Sequence, residues 1–194
     1  MKCAMDVNET IAQLGTKLDE WFDRSGGTFA SNDRAAQGKA ILRGIETVKE
    51  IDRIKARGLA SLTALLKEEN SDGKQDRVTS LVGGLRFGAR LAHTLHDELG
   101  DTTGEAKVVD LMDEIIHQLD KLDPGRAALV PLLGDPDAGV RAYAGAYLIK
   151  LMPDRAIPVL RDVEENEDAN SAHFTAYFAR MIWEREGKHA AADK

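Results

Sequence analysis

The chain has 194 residues, 26 Lys and Arg against 33 Asp and Glu, and a formal net charge of −7, with 43% of residues hydrophobic. A chain of this length buries about 70% of its unfolded surface, so it needs no disulfide or metal to fold, and Cys3 as the single cysteine excludes both an intrachain disulfide and a cysteine-based zinc site. The acidic balance argues against a general nucleic-acid binder, which needs Lys and Arg for phosphates, and it suits a basic protein partner.

The opening MKCAMDVNETIAQL carries acids where a secretory leader is apolar, and no apolar run approaches a membrane span. A cytoplasmic protein with no membrane association is expected. Helical periodicity covers nearly the whole chain, and little of it reads as strand. Val7, Ile11, Leu14, Leu18 and Trp21/Phe22 form a first stripe, opened by the capping-box pair Asp6 and Glu9 and stopped at Ser25-Gly26-Gly27. Ser31 or Asn32 caps the next helix, whose stripe is Ile41, Ile45, Val48, Ile51 and Ile54. The pattern runs on to Leu66, but a helix of that length is uncommon in a compact domain, so a break is expected at Arg57-Gly58. After a short helix and a turn at Asn70–Gly73, a further helix runs through Leu99, with Val78, Leu81/Val82, Leu85, Ala89, Ala92 and Leu95 on one face. Gly83, Gly84 and Gly88 weaken it by about 1 kcal/mol each relative to alanine, which reads as close packing against another helix in preference to a hinge.

The second half opens at Gly100-Asp101, where Thr102 and Glu105 form another capping-box pair before Val108/Val109, Met112, Ile115/Ile116, Leu119 and Leu122. Asp123-Pro124 and Asp135-Pro136 read as helix starts, because Asp caps and proline suits the first helical position. Helices are predicted over about 125–133, 137–152, 154–166 and 171–186. The organisation expected is an N-terminal helical half over 1–99, a helical repeat domain over 100–187 and a disordered tail over 188–194.

Two internal similarities bear on the fold. AYAGAYLIKL at Ala142–Leu151 aligns with AHFTAYFARM at Ala172–Met181, a period of about 30. Lys39–Ile54 aligns more weakly with Lys107–Leu122 at an offset of about 68, which reads either as a divergent duplication or as the shared pattern of amphipathic helices. A helix pair of about 30 residues cannot bury its apolar face alone, and stacking neighbours solves that.

The segment ALVPLLGDPDAGVRAYAGAYLIKL resembles a HEAT-type repeat: an apolar helix with a proline, an Asp-rich turn, then Val-Arg and an Ala-rich second helix. From about Val108 to Glu186 the chain more closely resembles a small bacterial HEAT-like domain family of unknown function, with Pro153-Asp154-Arg155-Ala156 as its characteristic joint. The resemblance implies an all-α, solenoid-like stack of HEAT-type helix pairs with an N-terminal helical cap. It also implies that Arg141 bonds a turn aspartate. It brings no activity, since HEAT-like proteins are mostly protein-binding scaffolds.

Catalytic patterns are weak. His93 and His96, beside Asp97 and Glu98, share a helix face but lack an obvious third ligand. Glu114 and His117 form one Glu-x-x-His where a di-iron bundle needs two, and Cys3 has no arranged base. No phosphate-binding or nucleophile-elbow motif occurs, so no enzyme and no cofactor are expected. The acidic run Asp162–Asp168 is either a solvated loop or a dock for a basic partner.

The aromatic ladder is the better lead. Tyr143, Tyr147 and Lys150 share one stripe, and His173, Tyr177 and Arg180 repeat it thirty residues on. The core stripe is then Val140, Ala144, Leu148 and Leu151, followed by Phe174, Phe178 and Met181. Stacked helices would line a concave face with the ladder, which either binds a partner or packs between repeats with its hydroxyls wet. The function expected is a non-enzymatic protein-binding module, an adaptor or toxin-immunity-like protein for a basic partner. The alternatives are a nucleic-acid-associated protein using Lys150, Arg180, Arg141 and Arg185, or a metal-dependent enzyme using the histidines.

Overall fold

The computed structural model describes residues 34–67, 74–168 and 170–192, with side chains at 45–67, 76–168 and 170–186; the expected first stripe, Val7 to Phe22, and the turn at Asn70–Gly73 lie outside them. The described residues are helical and contain no strand. The chain divides into two compact units, Met1–Ala64 and Leu65–Lys194.

Helix α1 (Arg34–Lys67) lies in the first unit except for its last three residues and is continuous, so the break expected at Arg57-Gly58 does not occur. Thr47, Ile51, Ile54, Gly58 and Leu62 are buried, whereas Ile45 and Val48 are exposed. These buried positions recur at the helical period, which places Gly58 on the buried stripe rather than at a terminus. The stripe is therefore rotated from the one read through Ile45 and Val48.

The second unit is built on α2 (Lys74–His93) and α3 (Thr102–Leu119), which pack along each other. A β-carbon on Gly84 would meet Ile115 and Leu65, and one on Gly88 would meet Met112 and Val108. Ascending α2 thus faces descending α3, an antiparallel pair drawn close by two glycines. Gly83 faces open space and has no such reason. Leu65 and Leu66, at the start of this unit, have their carbonyls satisfied from the pair: Arg77 donates to Leu65 at 2.8 Å and Gln118 to Leu66 at 3.2 Å.

α2 does not continue as an α-helix to Leu99; it passes into a π-helical turn, Thr94–Glu98, closed at Gly100 with φ of 62°. The cap of α3 is Asp101, whose carboxylate accepts from the Gly104 amide at 2.8 Å. The expected Thr102–Glu105 capping box is absent, because Glu105 is drawn to His96 instead. After α3 the segment Gly125–Gly134, read as an α-helix, is a 3-10 helix containing Pro131, with Leu129, Leu132 and Leu133 buried.

α4 (Ala138–Leu148) ends earlier than predicted, and its cap is Asp137 rather than Asp135. It packs against the 3-10 segment, α2, α5 (Pro153–Asn166) and α6 (Ser171–Ala192). Its small residues allow this. Gly145 admits Leu160 of α5, whose atoms would stand 2.8 Å from an added β-carbon. α6 is helical to Ala192, past the expected end at 186.

The core expectation for α4 and α6 divides. Val140, Ala144 and Leu148 are buried, but Leu151 lies beyond the helix end and is 55% exposed. In α6 the expected core residues Phe174, Phe178 and Met181 are exposed, together with Tyr177 and Ile182. The side of α6 that packs on α4 and α5 carries Ala172 and Ala176, both buried.

Candidate functional site

The six ladder residues sit on α4, the turn after it, and α6, and the structure divides them between two neighbourhoods. Tyr143 is buried, and burial pushes its phenol up to about 12, with a hydrogen bond to Thr175 acting the other way. Tyr147 is half-buried and donates to Asp113 of α3 at 2.7 Å. Burial first, then that hydrogen bond, raises its phenol far above the ordinary value. Lys150 is exposed and pairs with Glu186 at 3.0 Å.

The α6 members turn towards α5. The His173 ring hydrogen-bonds the Glu164 carbonyl at 3.0 Å through Nδ1. Arg180 donates to both carboxylate oxygens of Glu164, at 2.8 and 2.9 Å, and to Glu184 at 2.6 Å. The guanidinium holds the Glu164 carboxyl below its usual range. Tyr177 remains exposed, its ring edge-on to Phe178. His173 and Arg180 thus both engage Glu164 of α5, one at its backbone carbonyl and the other at its carboxylate, while Tyr147 and Lys150 reach partners on α3 and α6.

Tyr147 and Lys150 line an open cleft of about 420 Å³ together with Leu151, Gly125, Arg126 and Asp120. Arg126 grips Asp120 through two hydrogen bonds of 2.7 Å, which lowers the Asp120 carboxyl. Gly125 has φ of 64°, a left-handed conformation suited to glycine, at the start of the 3-10 segment on the cleft wall. The cleft therefore combines an apolar element (Leu151), a tethered phenol and charges of both signs, with Asp113 at the tyrosine hydroxyl.

The other polar candidates are joined to the helix termini. Asp97 accepts from the Ser171 amide at 3.0 Å and from its hydroxyl at 2.6 Å, so it caps α6 from the π-helical turn. His93 lies 2.8 Å from the same carboxylate. The same His93 Nδ1 also lies 3.0 Å from the Ser171 hydroxyl, which itself donates to Asp97, so one ring nitrogen meets both partners, whereas in the serine–histidine–aspartate relay of a hydrolase the two ring nitrogens stand between serine and aspartate. His96 pairs with Glu105 at 2.6 Å. Among the described residues no group of three or more His, Cys, Asp or Glu is placed to hold a metal ion.

Arg141 bonds the backbone carbonyls of Asp135 and Pro136 at 3.0 and 3.1 Å and pairs with Asp162 and Glu167, rather than with a turn carboxylate. The buried Asp135 carboxylate belongs to Arg86 at 2.6 Å and Arg90 at 3.4 Å of α2. The acidic run is accordingly part-neutralised: Asp162 and Glu167 by Arg141, Glu164 by Arg180. Sequence reasoning missed Asp113, Asp120 and Arg126 as companions of the ladder. The one signal was that Asp113 and Asp120 share the polar side of α3 and its end, seven residues apart.

Among the described residues no helix is long and apolar enough to cross a membrane. In comparisons with known proteins, the chain matches no family model, no curated protein and no solved structure.

Proposed function

We propose that this chain is a HEAT-like, non-enzymatic protein-binding module acting in the cytoplasm, an adaptor or toxin-immunity-like protein whose helix pairs stack as a short solenoid and receive a basic partner. The observation that carries the reading is the cleft of about 420 Å³ in which Tyr147, Lys150 and Leu151 meet Asp120, with Asp113 held at the tyrosine hydroxyl. Tyrosine is among the residues that dominate interface energies, and an apolar contact inside a polar rim is the usual anatomy of an interface. A basic segment would exchange its charge for that of Arg126 on Asp120 and reach Asp113 beside the phenol.

The ladder acts here through its α4 half, because His173 and Arg180 are engaged with Glu164. Lys150 and Arg180 are also paired with carboxylates, which weighs against a phosphate-binding face. The experiment is an affinity capture from host lysate, wild type beside Tyr147→Ala and Asp113→Lys/Asp120→Lys, read by mass spectrometry. A basic protein retained by wild type and lost from both folded variants supports the reading. No specific protein, or steeply salt-dependent binding of nucleic acid instead, overturns it.

A further inference from the structure

The internal repeat sets α6 in register with α4, and the two helices differ in one respect. Ala144 aligns with Phe174 and Leu148 with Phe178. Ala144 and Leu148 are fully buried, whereas Phe174 is 45% and Phe178 49% exposed. Tyr177, Met181 and Ile182 extend the exposed face, and the Phe174 and Phe178 rings stack with centroids 6.4 Å apart. In α4 these positions lie in the core of a helix packed against α2, the 3-10 segment, α5 and α6. In α6 the corresponding positions are large and aromatic, yet among the described residues nothing covers them.

We infer that this face of α6 is the self-association surface of the chain, closed by the same face of a second copy about a two-fold axis. Three observations favour a second copy. The first is area: with about 200 Å² on a large side chain, the five exposures amount to roughly 400 Å² of apolar surface. A stable interface takes about 800 Å² from each partner, a little over half of it apolar. The face supplies that apolar share.

The second is symmetry. Phe174 to Ile182 spans about 12 Å of helix, centred on Phe178. An antiparallel copy therefore sets Phe174 against the partner's Ile182 and Phe178 near the axis, so each contact occurs twice, as an isologous interface requires. The third is charge. Arg185 lies seven residues beyond Phe178 on the same stripe and is exposed, while the exposed Asp168 stands just before the helix begins. At that register Arg185 stands opposite the partner's Ser171, at the start of the helix and three residues from the exposed Asp168, twice over.

This surface is distinct from the cleft at Tyr147 and does not depend on it. The test is sedimentation equilibrium of the full chain from micromolar to sub-millimolar concentration. Wild type is expected to dimerise reversibly, and Phe178→Glu to be monomeric with unchanged helical circular dichroism. Arg185→Asp is expected to weaken the dimer roughly tenfold, and Arg185→Asp combined with Asp168→Arg to restore it. Tyr147→Ala should leave it intact. A wild-type monomer at every concentration overturns the inference, whatever else covers the face. So does a dimer that survives Phe178→Glu, or a charge swap that restores nothing.

Discussion

Tyr147 donates its hydroxyl to Asp113 across 2.7 Å, fastening the last turn of α4 to α3 beside the cleft that Tyr147 lines. The bond separates two roles for the tyrosine. If the ring only packs, Tyr147→Phe should cost about 1 kcal/mol by urea denaturation and leave partner binding unchanged. If the phenol and Asp113 form a recognition pair, Tyr147→Phe and Asp113→Asn should each weaken binding, and the double variant should add little to either.

The repeat register predicts unequal costs at equivalent positions. Leu148 is fully buried, so Leu148→Ala should destabilise by about 2–5 kcal/mol. Phe178→Ala, at the aligned exposed position, should cost less than about 1 kcal/mol in the monomer. Denaturation midpoints at low protein concentration compare the two.

Glycine-to-alanine changes should differ in sign along one helix. At Gly83 nothing stands within 4 Å of an added β-carbon, so Gly83→Ala should stabilise by about 0.5–1 kcal/mol through helix propensity. At Gly88 the β-carbon would come within 2.6 Å of Met112, which is fully buried, so Gly88→Ala should destabilise by about 1–3 kcal/mol. Thermal unfolding reads both.

Asp97 caps α6 through the Ser171 amide and hydroxyl, although the two residues are 74 positions apart. Asp97→Ala leaves those donors without their acceptor and should cost about 1–2 kcal/mol. Hydrogen exchange should show the loss first at the amides of the opening turn of α6.

The hydrogen bond to Glu105 raises the His96 imidazole above its ordinary value, supported by the charges of Glu105 and Asp97. A group with a raised folded-state pKa contributes stability that is complete below the unfolded value of about 6.5 and is lost as pH climbs through the folded value. The wild-type melting temperature should therefore exceed that of His96→Gln by more near pH 6 than near pH 8. Equal differences at the two pH values would show that the pair carries no linked proton.

Helical periodicity and turn chemistry determined most of the architecture. The interruption at Gly100-Asp101, proline at the start of α5, the aspartates before α4, and the buried faces of α2, α3 and α4 follow from local rules that operate within a few residues. Those same rules misplaced what depends on neighbours. Gly58 reads as a helix breaker, yet it sits on the buried stripe of α1, where the absence of a side chain is tolerated. Glu105 reads as a cap, yet His96 competes for its carboxylate.

The site divides in the same way. Spacing alone put Tyr143, Tyr147 and Lys150 on one stripe, and likewise His173, Tyr177 and Arg180. Tertiary structure decided what each stripe meets: Asp113 from α3 for Tyr147, Glu164 from α5 for Arg180, and solvent for Phe174 and Phe178. A periodic pattern states that a helix has an apolar side, because side chains recur every 3.6 residues. It does not state that another element covers that side, since this depends on contacts between residues distant in the chain.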